Sequence, residues 1–149
     1  MDSRIETYKH IGQVQVNLHK VIVNLMERAL VHDQSKLSSP EVELFDEHTP
    51  KLAQLEYGSQ AYIDSMKSLR PALSHHYKTN RHHPQFFENG IDGMSLMDIM
   101  EMLMDWRSAV ERSPNGCILK SLKINKKRFD ISDQLYNILL NTINELGLR

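Results

Sequence analysis

A twelve-residue segment, SLMDIMEMLMDW (95–106), leaves few options for the chain around it. Leu96, Met97, Ile99, Met100, Met102, Leu103, Met104 and Trp106 make it apolar almost all the way round, and such a helix is normally buried. After Ser95 its only polar breaks are Asp98, Glu101 and Asp105, spaced i, i+3, i+7 and so on one face. A carboxylate on a buried helix has to be paired, hydrogen-bonded or bound to a cation, because an isolated buried charge is prohibitively costly. The plainer alternative is a face that looks at water or at Lys and Arg partners.

The rest of the chain reads as helix too. Ile5, Tyr8, Ile11, Leu18, Val21, Ile22, Leu25 and Met26 recur at helical spacing, which predicts a long helix, or two with a bend, to about Leu30. Ser39 and Pro40 begin the next, with acids in its first turn and Pro50 interrupting it. A turn is expected at residues 57–59, then a helix from about Ser59 to Tyr77 that Pro71 bends or splits. HHPQFFENGIDGM carries the Pro and Gly signals of a structured loop. Ser95 opens a helix through about Glu111, and two more follow, the last from near Ser132 to Gly147. The expected class is all-α, a compact helical bundle of about six to seven helices forming a single domain over 1–149.

Charge and cysteine content exclude several functions. A net charge of −1 over 149 residues gives no global pull toward nucleic acid or anionic lipid. One cysteine, Cys117, excludes an internal disulfide framework, and no apolar run reaches membrane-span length. The expectation is a soluble, cytoplasmic protein. No P-loop or nucleophile-elbow pattern occurs. Lys120, Lys123, Lys126, Lys127 and Arg128 read as a solvated face rather than a phosphate-binding edge. The Met-rich helix and the apolar positions of the last helix could each supply a homo-oligomer interface.

Histidine placement is more informative. ALVHDQSKL sets His32 beside Asp33 with Lys36 three residues on, and HHYKTNRHH puts four of the eight histidines into nine positions. Imidazole nitrogen and carboxylate oxygen suit Mn, Fe, Co, Ni and Zn. A solvated polar loop is the alternative for the second stretch. His48 reads as a surface residue.

The HD doublet, the following Lys and the order of the remaining histidines and acids resemble the HD-domain superfamily of all-α, metal-dependent phosphohydrolases. The stretches HIGQV, RALVHDQSKLSSPEVELF, LEYGSQAY, ALSHHYKTNRHHP, GIDGMSLMDIMEMLMDW and INKKRF also resemble an uncharacterised family of bacterial and phage proteins. The superfamily resemblance implies one or two divalent transition-metal ions (Mn, Fe, Co, Ni or Zn). Their ligands would be His10 (with His19 as competitor), His32, Asp33 and Asp105, with members of the two His pairs. It leaves open which member of each pair binds. His76 and His83 are expected at the metal, and His75, His82 and Asn80 at the substrate. The pairs lie closer together here than two-metal members usually place such histidines, so one pair can serve substrate.

Lys36 is expected to neutralise phosphate, Glu101 to activate water, and Asp98 to hold a ligand from behind. The implied activity is attack of a metal-bound hydroxide on a nucleotide or other small phosphate ester. Two alternatives use the same residues: a di-iron oxygenase of the HD type, and a non-catalytic, metal-stabilised binding module.

Overall fold

The computed structural model describes residues 3–52, 54–55, 59–112 and 114–149. Every regular element among them is helical, with seven α-helices and three short 3₁₀ turns. The turn expected at 57–59 lies mostly outside the described residues. The backbone forms two compact units, residues 1–32 and 33–149.

The first unit is one helix, α1 (Ser3–Val31), of 29 residues without a break. Of the two options left by the sequence, the single long helix holds. No described residue of α1 is buried, and most of its apolar side chains, Tyr8 and Met26 among them, are exposed.

The second unit begins at Asp33 and contains α2 (Glu41–Leu52), α3 (Gln60–Ser68), α4 (Arg70–Thr79), α5 (Leu96–Glu111), α6 (Ile118–Arg128) and α7 (Asp133–Glu145). Pro50 does not interrupt α2 but lies inside it, in the last turn, where the helix has two residues left to run. Pro71 splits the segment after Ser59 as expected: α3 ends at Ser68 and α4 restarts at Arg70, with Pro71 in its first turn where a missing N–H costs nothing.

The largest apolar cluster of this unit is formed by α5, α6 and α7. Ile99, Met102 and Leu103 of α5 meet Ile118 and Leu122 of α6, Ile131, and Leu139 and Ile143 of α7. Each set recurs at three- or four-residue spacing, so each helix turns one stripe inward. Burying each large side chain contributes about 1.5–3 kcal/mol. Trp106 and Phe129 stack beside this core with nearly parallel rings. α2 packs on α3 and α4, where Leu69 and Ala72 are buried together with the polar groups Glu41 and His76; His82 of the following turn and Asp98 of α5 are also almost wholly inaccessible.

The helix ends are set locally. Ser95 and Asp98 form a reciprocal capping box that starts α5. α6 ends with Asp130 at φ 50, allowing the Ile131 N–H to reach the Lys126 carbonyl. α7 starts on Ser132, whose Oγ accepts the Leu135 N–H, and ends at Gly147 with φ 64. No described helix is long and apolar enough to cross a membrane.

Candidate metal centre

α4 and the turn after it carry most of the site. The helix stops because Asn80 leaves helical geometry (φ −110, ψ 113), while two side chains take its last carbonyls. Thr79 Oγ donates to the His75 carbonyl at 2.8 Å, and Asn80 Nδ2 donates to the His76 carbonyl at 2.9 Å. The chain then folds back, His83 N–H donating to the Asn80 carbonyl, and this brings His82 and His83 beside His76.

Arg81 pins that turn. Its guanidinium reaches both carboxylate oxygens of Asp98 at 3.2 and 3.1 Å and lies over the rings of Phe86 and Phe87. Phe87 in turn needs Gly93, since a Cβ there would come within 2.7 Å of the Phe87 Cβ.

Asp33 approaches from the start of the unit. It adopts φ 58, ψ 12, a left-handed conformation uncommon for a side-chain-bearing residue and tolerated best by Asn and Asp. Its Oδ2 accepts from Lys36 Nζ at 2.6 Å. Its Oδ1 lies 3.2 Å from His76 Nε2 and 3.3 Å from His82 Nε2. His83 Nε2 lies 2.8 Å from His76 Nε2. One atom from each of Asp33, His76, His82 and His83 falls within 4.8 Å of all the others.

Carboxylates stand behind two of these rings. His76 Nδ1 is 2.9 Å from Glu41 Oε2, and His82 Nδ1 is 3.2 Å from Glu101 Oε1. An imidazole that donates from Nδ1 presents a lone pair at Nε2. Both lone pairs would then face the Asp33 carboxylate, an arrangement that only a second proton on each ring or a cation between them makes favourable. The spacing suits a cation. Donors held at about 2.05 Å stand roughly 2.9 Å apart at a right angle and roughly 3.3 Å apart in a tetrahedron.

Electrostatics agree with a centre of opposed charges. Burial by itself would raise the Asp33 pKa, but hydrogen bonding to His76 and His82 and the Lys36 ammonium outweigh it and hold the carboxyl far below the usual range. Glu41 is likewise held low, because His75, Ser35 and His76 outweigh its burial. Burial, with His82 and His76 adding repulsion, pushes His83 down to about 3 despite the opposing pull of Asp105 and Asp33.

The residues expected from sequence are distributed unevenly. Asp33, His76 and His83 come together as candidate ligands, and Asp105 places a carboxylate oxygen within 4.8 Å of one from Asp33. His82, read as a substrate contact, is buried in the same cluster. His75 stays at the edge, partly exposed, its Nδ1 2.7 Å from Glu41 Oε1. Asn80, also read as a substrate contact, is used internally, on the His76 carbonyl and on Ser35 Oγ at 2.7 Å. Glu101 touches the back of His82, and Asp98 is taken up by Arg81 and by the cap of α5.

His32, half-buried, is joined to Asp33 by a peptide bond. His10 is not brought to the doublet. One unbroken helix runs between them, and 21 residues at 1.5 Å each place it roughly 30 Å from the C-terminal end of α1. His19 shares that exposed helix, its Nδ1 3.2 Å from the Gln15 carbonyl. His48 is not free surface: it faces Ser65 Oγ at 3.3 Å.

Sequence reasoning missed Glu41, Ser35 and Arg81. Glu41 was visible as an acid in the first turn of a helix, where the helix dipole is explanation enough.

No curated protein matches this chain, and no solved structure does. The sequence matches a family of unknown function, DUF5662, over residues 1–145, and the chain belongs to that family.

Proposed function

We propose that the protein is a metal-dependent phosphohydrolase acting on a small phosphate ester or nucleotide. The observation that carries this reading is the convergence of three imidazole Nε2 atoms and the Asp33 carboxylate, with the Lys36 ammonium on the outer oxygen of the same carboxylate. His76, His82, His83 and Asp33 would hold a divalent ion. Bound there, the ion supplies Lewis acidity toward a phosphoryl oxygen and acidifies water.

The chain's own residues supply the remainder. Lys36 is anchored at 2.6 Å on Asp33 and lies over the Phe45 ring, so its charge sits at the edge of the cluster where phosphoryl oxygens would gather negative charge. Asp105 is close enough to Asp33 to accept a proton from the attacking water. Glu101 and Arg81 keep His82 and its turn from moving as charge shifts.

Elemental analysis of protein purified without a chelator or His-tag, beside Asp33→Ala, tests the site. Turnover of a panel of phosphate esters and nucleotides tests the reaction. Expected are about one or two equivalents of a transition metal, lost in Asp33→Ala, and hydrolysis that Lys36→Met lowers by roughly 10²-fold without altering metal content. Metal with oxygen uptake and no hydrolysis would replace this reading with oxygenase chemistry. Metal with neither activity would leave a metal-stabilised binding module.

A further inference from the structure

A buried carboxylate outside the ligand cluster serves two imidazoles at once. Glu41, the first residue of α2, is fully inaccessible, and its two oxygens are divided between neighbouring histidines of α4. Oε1 lies 2.7 Å from His75 Nδ1 and Oε2 lies 2.9 Å from His76 Nδ1. Ser35 Oγ stands 3.3 Å from the same His76 nitrogen and is itself held by Asn80. Removing a carboxylate from water costs free energy that a purely structural contact between α2 and α4 would not require, since an apolar pair fills such a space more cheaply.

Consecutive residues on a helix diverge by about 100°, so His75 and His76 do not naturally point to one place. Glu41 spans that divergence. Accepting an Nδ1–H from each ring, it would hold His76 in one orientation, with Nε2 aimed at Asp33 Oδ1 3.2 Å away; Asn80 Nδ2, 3.0 Å from the same Nδ1, has its own acceptors in Ser35 Oγ and the His76 carbonyl.

We infer that Glu41 is a positioning residue that fixes His76 as the Nδ1–H tautomer and so sets the affinity of the centre for a transition metal. The inference rests on the metal-binding part of the reading above and not on the phosphohydrolase activity. Groups behind a metal-binding imidazole commonly change affinity by about 10–100-fold when removed. A glutamine at this position retains one acceptor oxygen and turns the other into a donor. Only one of the two imidazoles can then keep its Nδ1–H donation.

Long-range ¹H–¹⁵N correlation spectra of the native, metal-free protein report the His76 tautomer directly. Titration of native protein and Glu41→Gln with Co(II), followed by visible absorbance, reports affinity. Far-UV circular dichroism of the metal-free forms establishes that the variant is folded. Expected are a native His76 protonated at Nδ1 and unprotonated at Nε2, and a Co(II) affinity lower by about 10–100-fold in Glu41→Gln with its helical signal intact. A native His76 protonated at Nε2 instead would overturn the inference. So would a folded Glu41→Gln whose Co(II) affinity is within twofold of native. The tautomer measurement stands even if Glu41→Gln fails to fold. Absence of phosphate-ester turnover would bear on the proposed activity alone, because neither readout here uses it.

Discussion

His83 Nε2 lies 2.8 Å from His76 Nε2, with the two rings meeting edge to face at 4.7 Å between centroids. Two ring nitrogens hold that separation through one shared proton or through a common cation. If His76 carries a single proton, on Nδ1 toward Glu41, its Nε2 is an acceptor. In that tautomer His83 would be the donor when no ion is present, and a ligand when one is.

A ligand that binds only the folded chain stabilises it by mass action, by about 2.7 kcal/mol at a hundredfold excess over Kd. Zn(II) or Co(II) should therefore raise the Tm by roughly 5–10 °C for a chain of this length. Differential scanning calorimetry with and without ion checks this. His83→Ala should lose most of the shift, and an equal shift in that variant would argue for binding elsewhere.

The metal-free protein should lose stability as the pH falls from about 6.5 toward 3. His83 is held at about 3 in the fold against an ordinary value of 6.5, so between those values the unfolded chain binds the extra proton and acid favours unfolding. Asp33 and Glu41 act in the same sense at lower pH. Their carboxylates are held below the usual range, and the stability they contribute is lost as they are forced to protonate. Urea midpoints at pH 7.0, 5.5 and 4.5 should fall in that order, and His83→Gln should flatten the upper part of the curve. A midpoint independent of pH would mean that His83 is protonated in the fold.

Arg81→Ala should destabilise the protein by about 1–3 kcal/mol in chemical denaturation. Asp98 is inaccessible and would lose both bonds from Arg81 while keeping those from Ser95, at 2.8 Å from both N and Oγ. The loss is limited because Arg81 is itself half exposed. Metal affinity should drop as well, since His82 follows Arg81 directly in the chain. A destabilised variant with native affinity would show that the turn holds its shape without this pair.

Gly93→Ala should cost about 1–3 kcal/mol by overpacking. The added methyl would meet backbone-proximal atoms of Phe87 at 2.7 and 3.1 Å, not the movable tip of a long side chain. Gly12 has open space at the same position and serves as the control: Gly12→Ala should be neutral or stabilising by a few tenths of a kcal/mol, because alanine favours helix. Thermal denaturation of both variants makes the comparison.

Local signals in the sequence determined the helices. The spacing of Ile99, Met102 and Leu103, the Ser95 cap, the Pro71 split and the Gly147 stop all act within a few residues, and each has its expected counterpart in the fold. Pro50 misled because a proline in the last turn disturbs little helix beyond it. The acids of α5 had to find partners, and the sequence established that much. Which partners they found was a matter of tertiary structure: Asp98 went to Arg81, and Glu101 to His82.

The His pairs show the same division. Four histidines in nine residues were plain to see, but only the reversal at Asn80 decided that His76, His82 and His83 share one centre while His75, at its edge, pairs with buried Glu41. Glu41 itself was not legible as part of the site, since seven residues and a turn separate it from Asp33 and its meeting with His76 crosses 35 positions of sequence. The sequence alone could determine which residue types were present and which faces had to be buried, because periodicity and capping are local. Which donors meet within bonding distance depends on how α2, α4 and α5 pack, and only the tertiary structure decides that.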